Sequence, residues 1–156
     1  MELFELFKDY NHDTPYFSLD NKKCYTRVVN IIDGDTIVIV IELFKNTFYK
    51  FNVRLDGIDT SELKSKDESL KKRALAAKYR LVELICKVDK NFDFSKESIK
   101  KLLNENIYLI WTECLEFDKY GRLLAKIKKA ENDNEYINDI LINENLAYEY
   151  HGGKKI

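Results

Sequence analysis

The sequence predicts an α+β fold: a five-stranded Greek-key β-barrel of the OB type, with helices packed on it and an inserted helix before the fourth strand. Three observations predict it. Two β-rich runs flank an Asp33-Gly34 dipeptide, a strong hairpin signal. A long segment of helical period follows the third β run. Two further β runs and a last helix complete the order, and five strands with a helix between third and fourth is the layout of an OB-type barrel.

The elements follow in order. Residues 1–23 read as an irregular extension containing the only proline, Pro15, and residues 24–156 as one domain. In the extension, Leu3, Phe4, Leu6 and Phe7 suit a short helical turn packed on the barrel. The first strand is Tyr25 to Ile32 and the second, nearly all aliphatic, Ile37 to about Phe44. The third runs from about Phe48 to Ile58, with Val53, Leu55 and Gly57 on one face and Arg54, Asp56 and Ile58 on the other. Ser65 and Glu68 read as a capping box opening a helix, with Leu70, Ala74, Ala77, Leu81, Leu84 and Ile85 as its apolar face. Lys71, Lys72, Arg73, Lys78 and Arg80 lie mostly off that face, as a solvated surface or, alternatively, as a patch that tracks phosphates. A segment of about 87–106 reads as an insertion, with a second helix capped by Ser95 and an apolar side of Ile99, Leu102 and Leu103. The fourth strand, Ile107 to about Phe117, holds Trp111, which reads as core. Asp118 to Gly121 is a turn, Arg122 to Ile127 the fifth strand, and Ile137 to Glu144 a helix ending at Asn145, a good left-handed residue.

Composition limits the chemistry. With 45% hydrophobic and 34% charged residues over 156 positions, the chain is an ordinary globular domain with a real core. A net charge of −1 provides no global field to gather nucleic acid, so any such binding needs a local patch. Cys24, Cys86 and Cys114 form no CxxC pair and fit free thiols. The first residues show neither a signal peptide nor a long apolar run, so the expectation is an intracellular protein without a membrane span. His12 and His151 lie far apart without a histidine or cysteine at ligand spacing, which argues against zinc sites and His-based triads. No phosphate-binding glycine loop is present. If the chain is an enzyme, carboxylates, arginines and a metal must carry its chemistry.

The residues for that chemistry stand in three groups. Asp33-Gly34-Asp35-Thr36 forms the hairpin, Arg54-Leu55 leads into Gly57-Ile58-Asp59-Thr60-Ser61-Glu62, and Asp118-Lys119-Tyr120-Gly121-Arg122 forms a later turn. A Leu146-Ala147 pair then leads to Tyr150 and a Gly152-Gly153 tail. Together these motifs resemble the staphylococcal nuclease (thermonuclease) family, over about Tyr25 to Lys155.

The resemblance implies roles. Asp35 and Asp59 match carboxylates that bind calcium, and Thr60 matches the residue lending a carbonyl to the same ion. Glu62 matches the carboxylate that orients or deprotonates the attacking water. Arg54 and Arg122 match the pair gripping the scissile phosphate. Tyr120 belongs to the Lys119-Tyr120-Gly121-Arg122 turn, and Tyr150 resembles a tyrosine near the nucleotide, so Lys119, Tyr120 and Tyr150 are candidate substrate contacts. The implied activity is a calcium-dependent nuclease, a phosphodiesterase acting on DNA and/or RNA, single-stranded or locally opened, that leaves 3′-phosphates. The alternative is a weakly active or inactive domain of the same type that binds nucleic acid or a protein partner.

Physical chemistry fits these roles. Two guanidiniums can clamp phosphoryl oxygens bidentately as charge builds on them. Calcium prefers oxygen ligands, and so few protein donors predict weak binding, with Kd ~10⁻⁴–10⁻³ M. Plainer readings exist for each residue. Asp33 and Asp35 suit turn positions, Arg54 and Arg122 suit salt bridges to Asp59 and Glu62, and Lys119 suits the surface. One departure stands out: Ser61 occupies the place between Thr60 and Glu62 where the family usually has proline.

Overall fold

A computed structural model describes residues 2–151, so the Gly152-Gly153-Lys154 tail lies outside the described residues. The chain runs α1 (Glu2–Phe7), β1 (Lys23–Asp33), β2 (Thr36–Phe44), β3 (Thr47–Leu55), β4 (Ile58–Asp59), α2 (Glu68–Ile85), α3 (Lys96–Glu105), β5 (Leu109–Phe117), β6 (Leu123–Lys128), α4 (Ile137–Asn143) and β7 (Tyr148–Glu149). Five strands close a barrel in the order β1-β2-β3-β6-β5. β3 and β6 are parallel, and the other neighbouring pairs are antiparallel. This is the expected α+β barrel of the OB type, and α3 is the helix inserted before the fourth barrel strand.

The core follows strand periodicity. Val28, Ile37, Ile39, Ile41, Val53, Leu55, Ile110, Leu123 and Ile127 are all buried. Burying one such aliphatic side chain contributes roughly 1.5–3 kcal/mol, so this set sustains the barrel. On β5 the inward residues are Ile110, Thr112 and Cys114. Period two therefore puts Trp111 on the outer face, where it is half-buried edge-on against Tyr25, at 5.2 Å between ring centroids. It is not a core residue. The buried Thr26 and Thr112 hydroxyls satisfy each other at 2.8 Å.

The third strand ends earlier than expected. β3 stops at Leu55, and Gly57 takes a φ of 78° that a side chain would resist. That turn breaks the alternation: Ile58 points inward, only 1% exposed, and pairs with Glu149 of β7.

The helices correct three expectations. The N-cap of α2 is Asp67, not Ser65; its carboxylate accepts from the backbone N–H of Ser69 and Leu70. Ser65 instead accepts from the N–H of Asp67. Leu70 is exposed, whereas Ala74, Ala77, Lys78, Leu81, Val82 and Ile85 form the buried stripe of α2. α1 exists, but Leu3, Phe4, Leu6 and Phe7 are exposed rather than packed on the barrel.

Other readings agree with the structure. Ser95 caps α3, accepting from the N–H of Ser98, and Ile99 and Leu103 are buried. Arg27 of β1 donates to the carbonyls of Leu103 and Asn104, binding the C-terminal end of α3 to the barrel. The inserted segment is thus part of the core. Asn145, at φ 61°, ends α4. All three cysteines are free, and burial pushes the Cys86 and Cys114 thiols up to about 12. Among the described residues no helix is long and apolar enough to cross a membrane.

Candidate functional site

The site begins at the β1–β2 hairpin. Asp33 pairs with Thr36, so Gly34 and Asp35 form the turn, and the β1–β2 register shifts between Ile31 and Asp33. Gly34 is required for space rather than for an unusual φ. A Cβ there would lie 2.6 Å from the Cβ of Ala77 on α2 and 3.0 Å from Thr60. The close approach seats α2 against the turn.

Asp35 is buried by that packing. Its carboxylate accepts from the Thr36 hydroxyl at 3.0 Å and from the Thr60 backbone N–H at 3.1 Å. Its carbonyl accepts from the N–H of Leu55 at 2.8 Å. Opposite Thr36 on β3 stands Arg54. One Arg54 terminal nitrogen, Nη1, lies 3.2 Å from Asp35, and the other, Nη2, donates to Asp59 at 3.2 Å. Asp35 and Asp59 thus reach one guanidinium from two separate elements. The three side chains are at most 12% exposed, a setting in which removing one partner of a buried charge cluster is costly. Nη1 is buried without a hydrogen bond despite its ion-pair distance to Asp35.

Thr60 follows Asp59 and is buried, while Glu62, two residues on, is exposed at the mouth. Arg122 comes from the turn between β5 and β6. Its Nε donates to Asp118 at 2.8 Å, and its backbone N–H donates to the same carboxylate at 2.9 Å. Burial pushes the Asp118 carboxyl up. The backbone N–H groups of Arg122 and Tyr120 and the Arg122 guanidinium outweigh that, holding it below the ordinary carboxylate range. The same turn relies on Gly121 at φ 82°.

Two clefts meet at the arginines. One is lined by Asp33, Asp35, Thr36, Thr60, Ser61 and Glu62 together with Arg54 and Arg122. The other is lined by Lys119, Tyr120, Tyr150 and His151, again with Arg54 and Arg122. Tyr150 lies against the Arg54 guanidinium, 5.5 Å from its ring centre, and its backbone N–H donates to the Gly57 carbonyl. Tyr120 is 73% exposed, with Arg122 and Lys119 near its ring.

Asp35, Arg54, Asp59 and Thr60 are therefore one directly bonded cluster. Glu62 and Arg122 share its cleft, and Lys119, Tyr120 and Tyr150 stand across the arginine wall. The anticipated salt bridges exist in altered form. Arg54 holds Asp35 as well as Asp59, and Arg122 is bonded to Asp118 rather than to Glu62.

Three cleft residues escaped the sequence reading. Lys78, which the sequence places mostly off the apolar face as a solvated or phosphate-tracking residue, is 4% exposed and lines the first cleft. Its signal was present in the sequence: Lys78 lies four residues after Ala74, three before Leu81 and four before Val82, inside the apolar stripe. Tyr79 and Lys96 line the same cleft. Asp118, read as a turn residue, also positions Arg122.

The donor set fits a hard cation. Among the described residues, no group of three or more His, Cys, Asp or Glu side chains is arranged to hold a metal. What converges is two buried carboxylates, hard oxygen donors, with the Thr60 N–H bonded to one of them.

The closed barrel with a cleft lined by arginines and carboxylates defines an OB-type barrel protein. The model of the family described as staphylococcal nuclease homologue matches residues 52–155, about two-thirds of the chain, and the chain belongs to that family. Its members are generally nucleases. The match begins after Asp35, whose place beside Arg54 comes from the fold. No curated protein matches the sequence.

Proposed function

We propose that this protein is a calcium-dependent nuclease that hydrolyses phosphodiester bonds of DNA and/or RNA, leaving 3′-phosphate and 5′-hydroxyl ends. The convergence of Asp35, Arg54, Asp59 and Thr60 in a cleft shared with Glu62 and Arg122 carries this reading. Family membership supports it.

Asp35, Asp59 and the Thr60 carbonyl are the residues that would hold calcium. Bound there, calcium would supply charge neutralisation at the phosphoryl group and a site for the attacking water. Glu62, exposed at the cleft mouth, orients the attacking water toward phosphorus. Arg54 and Arg122 bind the non-bridging oxygens more tightly as charge grows on them. Water oxygen bonds to phosphorus as it loses a proton, the bond from phosphorus to the 5′ oxygen breaks, and that oxygen takes up a proton from solvent, so no net proton is consumed in forming the alcohol. Lys119, Tyr120 and Tyr150, in the adjoining cleft, contact the nucleotide joined to the scissile phosphate.

A second reading is a domain that binds nucleic acid or a protein without turnover. Ser61 in the usual proline position and the net charge of −1 favour it. Cleavage of fluorescent single-stranded DNA, measured with calcium and then with EGTA, separates the two. The enzyme loses turnover in EGTA, and Arg54→Ala lowers its rate about 10²–10³-fold. Binding unchanged by EGTA, with no cleavage in calcium, would establish the second reading and sink the first.

A further inference from the structure

The first cleft continues past the arginines. Its far wall is Lys78 and Tyr79 of α2 together with Phe94, Ser95 and Lys96, where the inserted segment enters α3. Lys78 carries the argument. It is 4% exposed, and among the described residues no hydrogen bond or salt bridge closes on its ammonium. The charges it faces are Lys96 and Asp33. Burial pushes its pKa down, Lys96 adds to that, and Asp33 acts the other way. The Lys78 stem is buried while the side chain lines the cleft, so two ammonium groups with one carboxylate among them leave positive charge there for a further anion.

Two neighbouring features suit such an anion. Ser95 is the N-cap of α3, a ten-residue helix, so its free N–H end borders the same arm of the cleft. Tyr79 and Phe94 lie 4.5 Å apart at 31° and line the cleft beside the lysines, with Phe92 edge-on to Phe94 at 5.0 Å fixing that ring against the core. A cationic groove with an aromatic platform is the composition that tracks single-stranded nucleic acid.

We infer that this arm binds a second phosphodiester of the strand, held by Lys78, Lys96 and the start of α3, with a base on Tyr79 and Phe94. The inference rests on the nuclease reading above and extends it: the cleft takes a polynucleotide across consecutive phosphates, and the inserted segment builds half of the added subsite.

The test is equilibrium binding of a labelled octathymidylate in calcium, in a Glu62→Gln background, with salt varied between about 50 and 300 mM. The variants are Lys78→Met with Lys96→Gln, Lys96→Gln alone, and Lys45→Gln as a control for net charge. Lys45 lines neither cleft. The double variant is expected to bind about tenfold more weakly, with a salt slope smaller by ~0.7 for the lost phosphate contact. Lys96→Gln, at an exposed position that the fold tolerates, is expected to show about a third of that slope change or more. Thymidine 3′,5′-bisphosphate and inorganic phosphate serve as short probes. The loss should be larger for the octamer than for either. An unchanged slope in Lys96→Gln and in the double variant overturns the subsite, as does an equal loss on octamer and bisphosphate or an equal effect of Lys45→Gln. If the parent protein neither cleaves nor binds the octamer, the nuclease reading itself fails, a result distinct from failure of the subsite alone.

Discussion

Arg54 is the residue on which most depends. It pairs with two buried carboxylates, and in the proposed reaction its planar fork would bind phosphate. Lysine cannot span both partners, so Arg54→Lys is expected to cost ~3–4 kcal/mol of barrier, a rate loss of 10²–10³, read from kcat/KM on an oligonucleotide. A loss under tenfold would show that the fork is dispensable. Asp118 makes a pH prediction. Its carboxyl is held below the ordinary range, so it stabilises the folded state fully above the unfolded value of ~3.9. That stability disappears as pH falls through the lower folded value. Asp118→Asn should therefore flatten the acid limb of denaturant midpoint against pH below about pH 4, while midpoints at higher pH shift down by the missing contribution. Parallel curves for variant and parent would contradict the assignment. Both roles depend on tertiary partners. The pattern Asp-Lys-Tyr-Gly-Arg announced a turn, but only the fold shows that its aspartate, and not Glu62, holds Arg122.

At the scale of elements, the site is where three pieces meet: the β1–β2 turn, the end of β3, and α2. Gly34 sets the fit between turn and helix. Gly34→Ala puts a methyl 2.6 Å from Ala77, and pushing α2 outward is expected to cost ~1–3 kcal/mol, measurable as a lower denaturation midpoint. Pairing it with Ala77→Gly should recover part of the loss. A second join lies behind β3. The buried side chain of Asn138 on α4 accepts from the Ile127 N–H and donates to the carbonyls of Asp56 and Ala125. Asn138→Ala strands those backbone groups, so a destabilisation of ~1–3 kcal/mol is expected; a neutral result would mean that water replaces the amide. Sequence reading found these elements because turns, caps and apolar periods are local signals. It misjudged the cap of α2, since Ser65 and Asp67 are equally good local acceptors and only the entry path of the chain selects Asp67. It misplaced Lys78 because lysine is almost never buried, and the stripe in which it stands is set by what α2 packs against.

For the whole molecule, the paired buried carboxylates predict linkage between calcium and stability. With Kd ~10⁻⁴–10⁻³ M, 10 mM calcium should add about 1.4–2.7 kcal/mol to unfolding, visible as a raised melting temperature that EGTA reverses. Asp35→Asn should abolish the calcium increment, whatever it does to the baseline. If calcium leaves the parent's melting temperature unchanged, the ion is held elsewhere or not at all.

The sequence by itself determined the barrel. Alternating β runs, a glycine hairpin and helical periods are short-range patterns, and they fix which strands exist and in what order. It also determined which residue types were available for chemistry, because two distant histidines and scattered cysteines left carboxylates and arginines. The tertiary structure decided who meets whom. Asp35 and Arg54 are nineteen positions apart, brought opposite by the β2–β3 register, and Asp59 turns in only because Gly57 ends β3. Lys78 and Lys96 line one cleft because α2 and α3 both pack on β1. Such meetings depend on the closing of the sheet and the packing of helices on it, long-range terms for which no local pattern carries a signal.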